Sequence, residues 1–275
     1  MNYKIFRTHL PEYLIEAWGL GSFMISAAFF STIVAYPDSL ISKSIPNPFL
    51  QRVLIGIAMG LTAIAIIYSP WGKQSGAHIN PAVTFTFTRL GKVNPLDALF
   101  YIIFQTVGAL IGVLIAALVL GRMFTYPPIA YIVTVPNTAT TIAFLAEMAI
   151  AFVMMTMVLV TSNNQKLAPY TGIFAGFLVM LYVIFESPIS GFGMNPARTL
   201  ASAIPSGIWT DIWIYIFAPT LGMLLASEFY VQTFTIHKVF CAKLQHRNQQ
   251  RCIHCQYQDQ FLNKRSKLRN EKLKG

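Results

Sequence analysis

Two copies of the tripeptide Asn-Pro-Ala place polar amide side chains inside otherwise apolar sequence. They are Asn80-Pro81-Ala82 and Asn195-Pro196-Ala197. Each lies in a stretch, 76–90 or 191–203, that is too short to cross a membrane and too apolar for a solvated loop. Because asparagine caps helices and proline suits the first helical turn, each tripeptide predicts the N-terminus of a short helix. The two side-chain amides are then candidate hydrogen-bond donors to an oxygen atom that passes between them.

Charged side chains are scarce around these tripeptides. Glu16 and Glu147 are lone carboxyl groups in apolar sequence, and Arg198 directly follows the second tripeptide. An arginine beside an apolar helix is costly unless it faces a wet cavity, so we expect Arg198 to line one. Intramembrane carboxyl groups often relay protons, which is one hypothesis for the two glutamates. An enzyme is not indicated, because residues 1–235 contain no nucleophile–base pair and no cluster of metal ligands.

The elements that must position these groups are membrane-spanning helices. The chain is 55% hydrophobic and 11% charged, whereas soluble domains are about 25% charged. A membrane helix needs roughly 20 mostly apolar residues, and six windows approach this length. They are about 13–36, 53–69, 96–120, 140–161, 168–192 and 212–235. We therefore predict an all-α membrane protein with six transmembrane helices and two half-helices that begin at the Asn-Pro-Ala tripeptides.

The positive charge is concentrated at the C-terminus. Residues 236–275 hold ten of the 20 basic residues and two of the ten acidic ones, and so carry most of the net charge of +10. Basic residues favour the cytoplasmic side, and six spans place both termini on one side of the membrane. We therefore expect a multi-pass cell-membrane protein with cytoplasmic N- and C-termini. Because the charge belongs to the tail, nucleic-acid binding is not indicated.

The two halves of the chain, about 11–122 and 139–235, resemble each other. Each half opens with one of the lone glutamates and contains three spans and one tripeptide. Three is an odd number, so the second half must enter from the opposite side, which makes an inverted repeat. The half-helix N-termini would then meet near mid-membrane and repel cations and hydronium. We assign residues 1–235 to this channel-like domain and expect 236–275 to be a disordered basic tail near lipid headgroups.

The segments SGAHINPAVTF and SGFGMNPAR closely match the two signature loops of the aquaporin (major intrinsic protein) family, which the chain resembles over about 11–235. The resemblance implies an hourglass pore in each subunit of a homotetramer that excludes protons and ions. Four polar residues also stand where the family has such residues: Glu16, Glu147, Gln105 and His78. In the family such glutamates accept N–H groups of the signature loops. For His78 two interpretations stay open, a hydrogen bond to a loop carbonyl or gating by protonation.

The resemblance further implies a narrow ring of four residues beside the paired tripeptides. Its members are Arg198, Phe192, Val183 and either Met59 or Gly60. Strict water channels have histidine where Val183 stands and a small residue where Phe192 stands, so this ring is expected to be wider and more apolar. We expect a passive channel for water, with glycerol or other small neutral solutes as further candidates. The alternative is a coupled secondary transporter, because such transporters also use inverted repeats and broken helices.

The tail also contains residues of metal-ligand type. They are His246, Cys252, His254 and Cys255. Zinc sites usually combine two separated ligand pairs, and this spacing does not match that pattern. We therefore predict neither a metal nor a cofactor. The expected partners are membrane lipid, further copies of the chain in a homotetramer, and small neutral solutes.

Overall fold

The computed structural model describes residues 3–246 and 248–255, and its regular elements are all helical. Six helices in these ranges are long and apolar enough to cross a membrane. They are Ile5–Ala35, Pro48–Tyr68, Pro95–Leu120, Thr140–Ser162, Ala168–Ser190 and Ile212–Phe234. The six predicted windows are thereby confirmed. The first helix begins at Tyr3, well before its apolar window, because its early turns make polar contacts such as that of His9 with Asp97.

The two halves contain matching spans and half-helices in the same order. The first half has α1 (Tyr3–Ala35), α2 (Leu40–Ser44), α3 (Pro48–Tyr68), α4 (Pro70–Ser75), α5 (Pro81–Arg89) and α6 (Pro95–Leu120). The second half has α7 (Arg122–Thr125), α8 (Thr140–Ser162), α9 (Thr171–Leu181), a π-helical turn (Tyr182–Glu186), α10 (Ser187–Ser190), α11 (Pro196–Ser206) and α12 (Ile212–Phe234). The half-helices are α5 and α11, as the two tripeptides predict.

Close helix crossings hold the bundle together. α1 packs along α6, α8 packs along α12, and α3 crosses α9. At the last of these crossings, a Cβ atom added to Gly60 would lie 2.6 Å from the carbonyl oxygen of Gly176. A Cβ atom added to Gly108 of α6 would lie 2.1 Å from the carbonyl oxygen of Ala17. Only glycine permits these approaches, and small residues at helix contacts are typical of membrane bundles.

Each half-helix is capped by the asparagine of its tripeptide. Asn80 Oδ1 accepts the N–H of Ala82 at 2.9 Å, and Asn195 Oδ1 accepts the N–H of Ala197 at 3.1 Å. Each half-helix packs against the third span of the opposite half, α5 on α12 and α11 on α6. This cross-packing brings the two N-termini together, so the loops before them are in direct contact.

The first part of the tail, residues 236–255, folds against the bundle, which differs from the expected disorder. Val239 and Leu244 are buried, and the N–H of Leu244 donates to the carbonyl oxygen of Gly76 at 3.2 Å. The reason lies in the composition. Apolar side chains in this part cover the loop before α5, whereas six of the ten basic residues of the tail lie in 256–275, outside the described residues.

Candidate solute pore

A cavity of about 280 Å³ lies inside the bundle beside the N-termini of the two half-helices. Its wall includes the side chains of Asn80 and Asn195. Towards one end the wall includes Arg52 and Ser187, and towards the other it includes Leu244 of the tail. We call the end at Leu244 the tail face and the opposite end the far face. The cavity therefore passes the paired asparagines between the two faces.

The loops before α5 and α11 share one backbone conformation. Positive φ angles occur one, three and four residues before each asparagine, at +40°, +54° and +107° before Asn80 and at +47°, +55° and +92° before Asn195. Positive φ is unfavourable for residues other than glycine, so contacts around the loops must hold this conformation. The shared angles show the inverted repeat at the level of single residues.

Glu16 of α1 lies behind the first loop. Its Oε1 accepts the Ser75 hydroxyl at 2.7 Å and the N–H of His78 at 3.1 Å. Its Oε2 accepts the N–H of Ile79 at 2.6 Å and the side-chain amide of Gln105 at 2.8 Å. These contacts fill the roughly four acceptor positions of a carboxylate. The geometry therefore favours loop support over proton relay.

Glu147 of α8 lies behind the second loop in the same way. Its Oε1 accepts the Ser190 hydroxyl and the N–H of Gly193, both at 2.6 Å. Its Oε2 accepts the N–H of Met194 at 2.6 Å. The two glutamates thus fix the same backbone positions relative to their asparagines.

Glu186, in the π-helical turn, is a buried carboxyl group that sequence reasoning did not assign to the site. Its Oε1 contacts the Ser190 hydroxyl, which also contacts Glu147. The Ser190 hydroxyl lies between the two carboxyl groups, so Glu147, Ser190 and Glu186 form one buried polar cluster behind the second loop. A lone glutamate at the end of an apolar span was the sequence feature that could have indicated Glu186 as a site residue.

The side-chain amides of the two asparagines join the loops. Asn80 Nδ2 donates to the carbonyl oxygen of Met194 at 2.9 Å, and Asn195 Nδ2 donates to that of Ile79 at 2.7 Å. Sequence reasoning predicted these groups as donors to a passing oxygen, whereas one N–H of each is taken by the opposite loop. An amide NH₂ group has two N–H bonds, so each asparagine keeps a second donor.

Four of the five candidate ring residues lie in the cavity wall. Arg198, Phe192, Val183 and Met59 line it, whereas Gly60 faces the crossing with α9. The geometry therefore favours Met59 over Gly60 as the fourth member. Arg198 Nη1 is buried and has no hydrogen-bond partner among residues 3–246 and 248–255. Of these four wall residues, Arg198 therefore carries hydrogen-bond donors that the described residues do not use.

Apart from Met59, the wall residues on α3 were missed by sequence reasoning. Arg52 and Ile55 line the cavity together with Met59. The Nε of Arg52 donates to the carbonyl oxygen of Ile184 at 3.3 Å, which directs its side chain along the wall. Arg52, Ile55 and Met59 are spaced by three and four residues, and residues at that spacing share one face of a helix. Once Met59 was a candidate wall residue, this spacing could have predicted the other two.

His78 connects the first loop to the tail. Its Nε2 lies 2.8 Å from the carbonyl oxygen of Ala242, which can only accept, so Nε2 carries a proton. Its Nδ1 lies 3.1 Å from the Thr84 hydroxyl. Both ring nitrogens have partners and the side chain is buried, which favours the loop-support interpretation over a freely titrating gate.

Comparisons with known proteins agree with this geometry. The chain is 35% identical to Aquaporin NIP2-2 of Zea mays over 186 residues, which are 67% of this chain and 61% of that protein. It is 32% identical to Nodulin-26 of Glycine max over 177 residues, which are 64% of each chain. The chain therefore spans less than two thirds of the length of these relatives.

The fold is similar to that of a solved channel structure. The aquaglyceroporin from Plasmodium falciparum superposes with a TM-score of 0.68 at 19% sequence identity, covering 84% of this chain and 98% of that chain. Six spans, paired half-helices and a cavity between them define a channel-like membrane bundle. The family model described as Major intrinsic protein matches residues 11–230. The chain belongs to the major intrinsic protein family.

Proposed function

We propose that this chain forms a passive channel for water and small neutral solutes. The observation that carries the proposal is the cavity in which two half-helix N-termini meet close to Arg198. Helix N-termini present partial positive charge, and together with the arginine they repel cations and hydronium. The name of the maize relative, Aquaporin NIP2-2, supports the same class of function.

A solute passes a short series of donors. Arg198 Nη1 and the second N–H of Asn80 and of Asn195 bind its oxygen in turn and replace part of its hydration. The apolar wall at Phe192 and Val183 offers no hydrogen bond, so the solute is held weakly and leaves quickly. Transport by this route needs no covalent chemistry, and so the chain acts as a channel and not as an enzyme.

Four polar residues keep the donors in place. Glu16 and Glu147 hold the strained loops through their backbone N–H groups, Gln105 completes the contacts of Glu16, and His78 fixes the first loop against the tail. The support for these roles is that each side chain is buried and bonded at a loop position with positive φ nearby. None of them needs to contact the solute.

The ring composition widens the range of solutes. Phe192, Val183 and Met59 present hydrocarbon surface around Arg198, which suits the carbon backbone of glycerol as well as water. A histidine at position 183 would add a donor and reduce the space for carbon. We therefore include glycerol and similar uncharged solutes among the substrates.

The chain crosses the cell membrane with both termini in the cytoplasm and assembles as a homotetramer. The basic residues of the tail support this orientation, because positive charge favours the cytoplasmic side. Leu118 and Val119 of α6 are 86% and 74% exposed on the outside of the bundle, where lipid or a neighbouring subunit would cover them. The tetramer is the assembly implied by the family resemblance.

Stopped-flow light scattering on proteoliposomes tests the channel. Vesicles that contain the full chain should shrink faster than empty vesicles after an osmotic step, and the rate should not depend on a sodium or proton gradient. The Leu244→Gly variant is assayed beside the parent, because the Leu244 side chain lies in the cavity wall at the tail face and its removal widens the cavity there. Shrinkage equal to that of empty vesicles for both proteins would contradict the proposal. Gradient-driven solute uptake would favour the coupled transporter.

A further inference from the structure

Four side chains of metal-ligand type converge in the folded part of the tail. They are Cys241, His246, Cys252 and Cys255, and their ligand atoms all lie within 4.8 Å of one another. Cys252 Sγ is 3.5 Å from Cys241 Sγ and 3.4 Å from Cys255 Sγ. Cys255 Sγ is 3.9 Å from each ring nitrogen of His246.

These distances suit four ligands around one ion. A disulfide requires sulfur atoms about 2.05 Å apart, and all three cysteines are free. In a tetrahedral zinc site with Zn–S bonds of about 2.3 Å, the sulfur atoms are about 3.8 Å apart. The separations observed among these cysteines are close to that value. Three cysteines with one histidine are also a common ligand set of structural zinc.

The chain order explains why sequence reasoning did not predict the site. It grouped His246, Cys252, His254 and Cys255, but the fold replaces His254 with Cys241. The ligands then form two pairs, one separated by four residues and one by two, joined by five residues. This is the two-pair arrangement that the earlier grouping lacked.

The surroundings of the cluster suit a bound cation with three thiolates. Such a complex carries a net charge of about −1, because zinc contributes +2 and each thiolate −1. The ammonium of Lys243 is buried beside the cluster and interacts electrostatically with all three cysteines. A cavity of about 430 Å³, lined in part by Asn163, His246 and Cys255, gives an ion a path from the surface.

The cluster is joined to the tail-face end of the pore. Ala242 and Leu244 lie between Cys241 and His246 in the chain. The carbonyl oxygen of Ala242 accepts a hydrogen bond from His78, and Leu244 forms part of the cavity wall. Between its last two ligands, the ring of His254 stacks on that of His78 at 5.8 Å with an interplanar angle of 6°. The segments that the cluster fixes are therefore those that cover the first signature loop.

We propose that Cys241, His246, Cys252 and Cys255 bind one zinc ion, and that the bound ion holds Leu244 at the tail-face end of the pore. Without the metal, the 241–246 loop keeps contacts with the bundle, such as the hydrogen bond of Leu244 with Gly76, but it loses the link to Cys252 and Cys255. Loss of the ion therefore releases the 241–246 loop and opens that end. Zinc binding does not depend on what the pore transports, whereas the effect of the ion on the pore rests on the proposed channel function.

Metal content tests the site independently of transport. The full chain, purified without chelator, should contain one zinc ion per chain by elemental analysis. Cobalt replacement should give the thiolate-to-metal absorption of a tetrahedral site. Cys241→Ser and Cys252→Ser should each lose both signals, whereas His254→Gln, the matched control, should retain them. Retention of zinc by Cys241→Ser, or a zinc-free protein with a Cys241–Cys252 disulfide, would overturn the site.

Gel filtration and circular dichroism separate ligand loss from misfolding. The cysteine variants should keep the oligomeric state and helix content of the parent, because the ligands lie outside the six spans. If one variant does not fold, the mixed ligand variant Cys255→His provides a second test. It should retain one metal ion but shift the cobalt spectrum as one thiolate is replaced. An unchanged cobalt spectrum would overturn the assignment of Cys255.

Permeability tests the coupling to the pore. If the zinc-bound tail covers the pore in about nine chains of ten, removing the ion with a strong chelator should raise water permeability about tenfold. Vesicles that contain the Leu244→Gly variant should have high water permeability both with and without the chelator. Equal rates for the zinc-bound and zinc-free parent, with Leu244→Gly faster than empty vesicles, would overturn the coupling and leave the channel intact. If no variant exceeds empty vesicles, the channel function itself fails, while the zinc measurements remain valid.

Discussion

The loops before α5 and α11 have the same backbone and the same support but open onto different ends of the pore. In each, a buried glutamate accepts the N–H groups of the residues one and two positions before the asparagine. In each, a tyrosine hydroxyl donates to the carbonyl of the supporting serine, Tyr101 to Ser75 and Tyr215 to Ser190. The repeat therefore extends to single hydrogen bonds.

At two of the equivalent positions where the loops and half-helices differ, only one half has a polar side chain. Two residues before the asparagine, the first loop has His78 and the second has Gly193, where a Cβ atom would lie 2.4 Å from the Tyr215 ring. Three residues after the asparagine, the first half-helix has Val83 and the second has Arg198. Each difference adds one polar side chain at one end of the cavity.

This contrast separates geometry from function. The shared contacts set the backbone of both loops, and we expect the polar side chain present in only one half to decide what that end of the pore does. Arg198 Nη1 has no hydrogen-bond partner among the described residues, and in the proposed function it binds the solute. His78 uses its donor to bind the tail. Four predictions test this separation.

The largest effect is expected from removing the shared support. Glu16→Ala and Glu147→Ala each leave two buried backbone N–H groups without an acceptor. An unsatisfied buried donor costs about 1–3 kcal/mol, so each variant should lose about 2–6 kcal/mol of stability. Denaturant unfolding of the purified protein in detergent measures this loss.

Glu228→Ala is the control for these two variants. Its carboxylate forms an ion pair with Arg89 at 2.9 Å, but both side chains are about half exposed. Exposed pairs contribute about 0–1 kcal/mol, so this variant should unfold almost like the parent. If Glu16→Ala and Glu147→Ala unfold like Glu228→Ala, the loops do not depend on their glutamates.

The next effect is expected from making the second half-helix resemble the first. Arg198→Val copies the residue at the equivalent position of α5 and removes both a donor and a positive charge from the cavity wall. Proton leak should appear, and urea flux should rise about tenfold, which corresponds to a barrier lower by about 1.4 kcal/mol. A pH-sensitive dye inside proteoliposomes and osmotic solute assays measure the two changes.

Arg89→Val controls for the loss of a basic residue from a half-helix. Arg89 ends α5, is exposed and pairs with Glu228, so the variant should keep the parental fluxes. If proton leak is equal in Arg198→Val and Arg89→Val, the difference between the two loops does not set ion exclusion.

Sequence reasoning predicted the repeated features better than those found in one half alone. The spans follow from apolar length, and the half-helices follow from the capping chemistry of Asn80 and Asn195. It left Met59 and Gly60 undecided, because the family pattern of the second span favours Met59 whereas strict spacing from Asn80 favours Gly60. The crossing with α9, where Gly60 meets Gly176, fixes which of them faces the cavity.

The tail was beyond sequence reasoning for a different reason. Its composition is polar and basic, which is typical of disorder, and its burial arises from contacts with residues far away in the chain. Leu244 meets Gly76, and Ala242 meets His78. Glu186 differs from the tail in this respect, because its partner Ser190 is only four residues further along the chain, just after the π-helical turn.

A smaller effect is expected from adding a donor to the apolar side of the ring. Val183→His places an imidazole beside Phe192 in the cavity wall, which narrows the pore and favours water over carbon-containing solutes. Glycerol flux should fall about tenfold and water flux about twofold or less, a difference of about 1 kcal/mol in barrier height. Val183→Leu controls for bulk without a donor. A parent without glycerol flux would contradict the wide ring.

The smallest effect is expected from making the first loop resemble the second. His78→Gly copies Gly193 and removes the hydrogen bond to Ala242. One such bond contributes about 1 kcal/mol, so the ratio of released to covering tails should rise about fivefold. Starting from about one released tail in ten, water permeability should then rise about fourfold. Trypsin should also cleave sooner at Arg251. Thr84→Val removes the other partner of the histidine ring but keeps the contact with the tail, and it should change neither rate. Equal behaviour of the two variants would show that His78 serves its own loop and does not hold the tail.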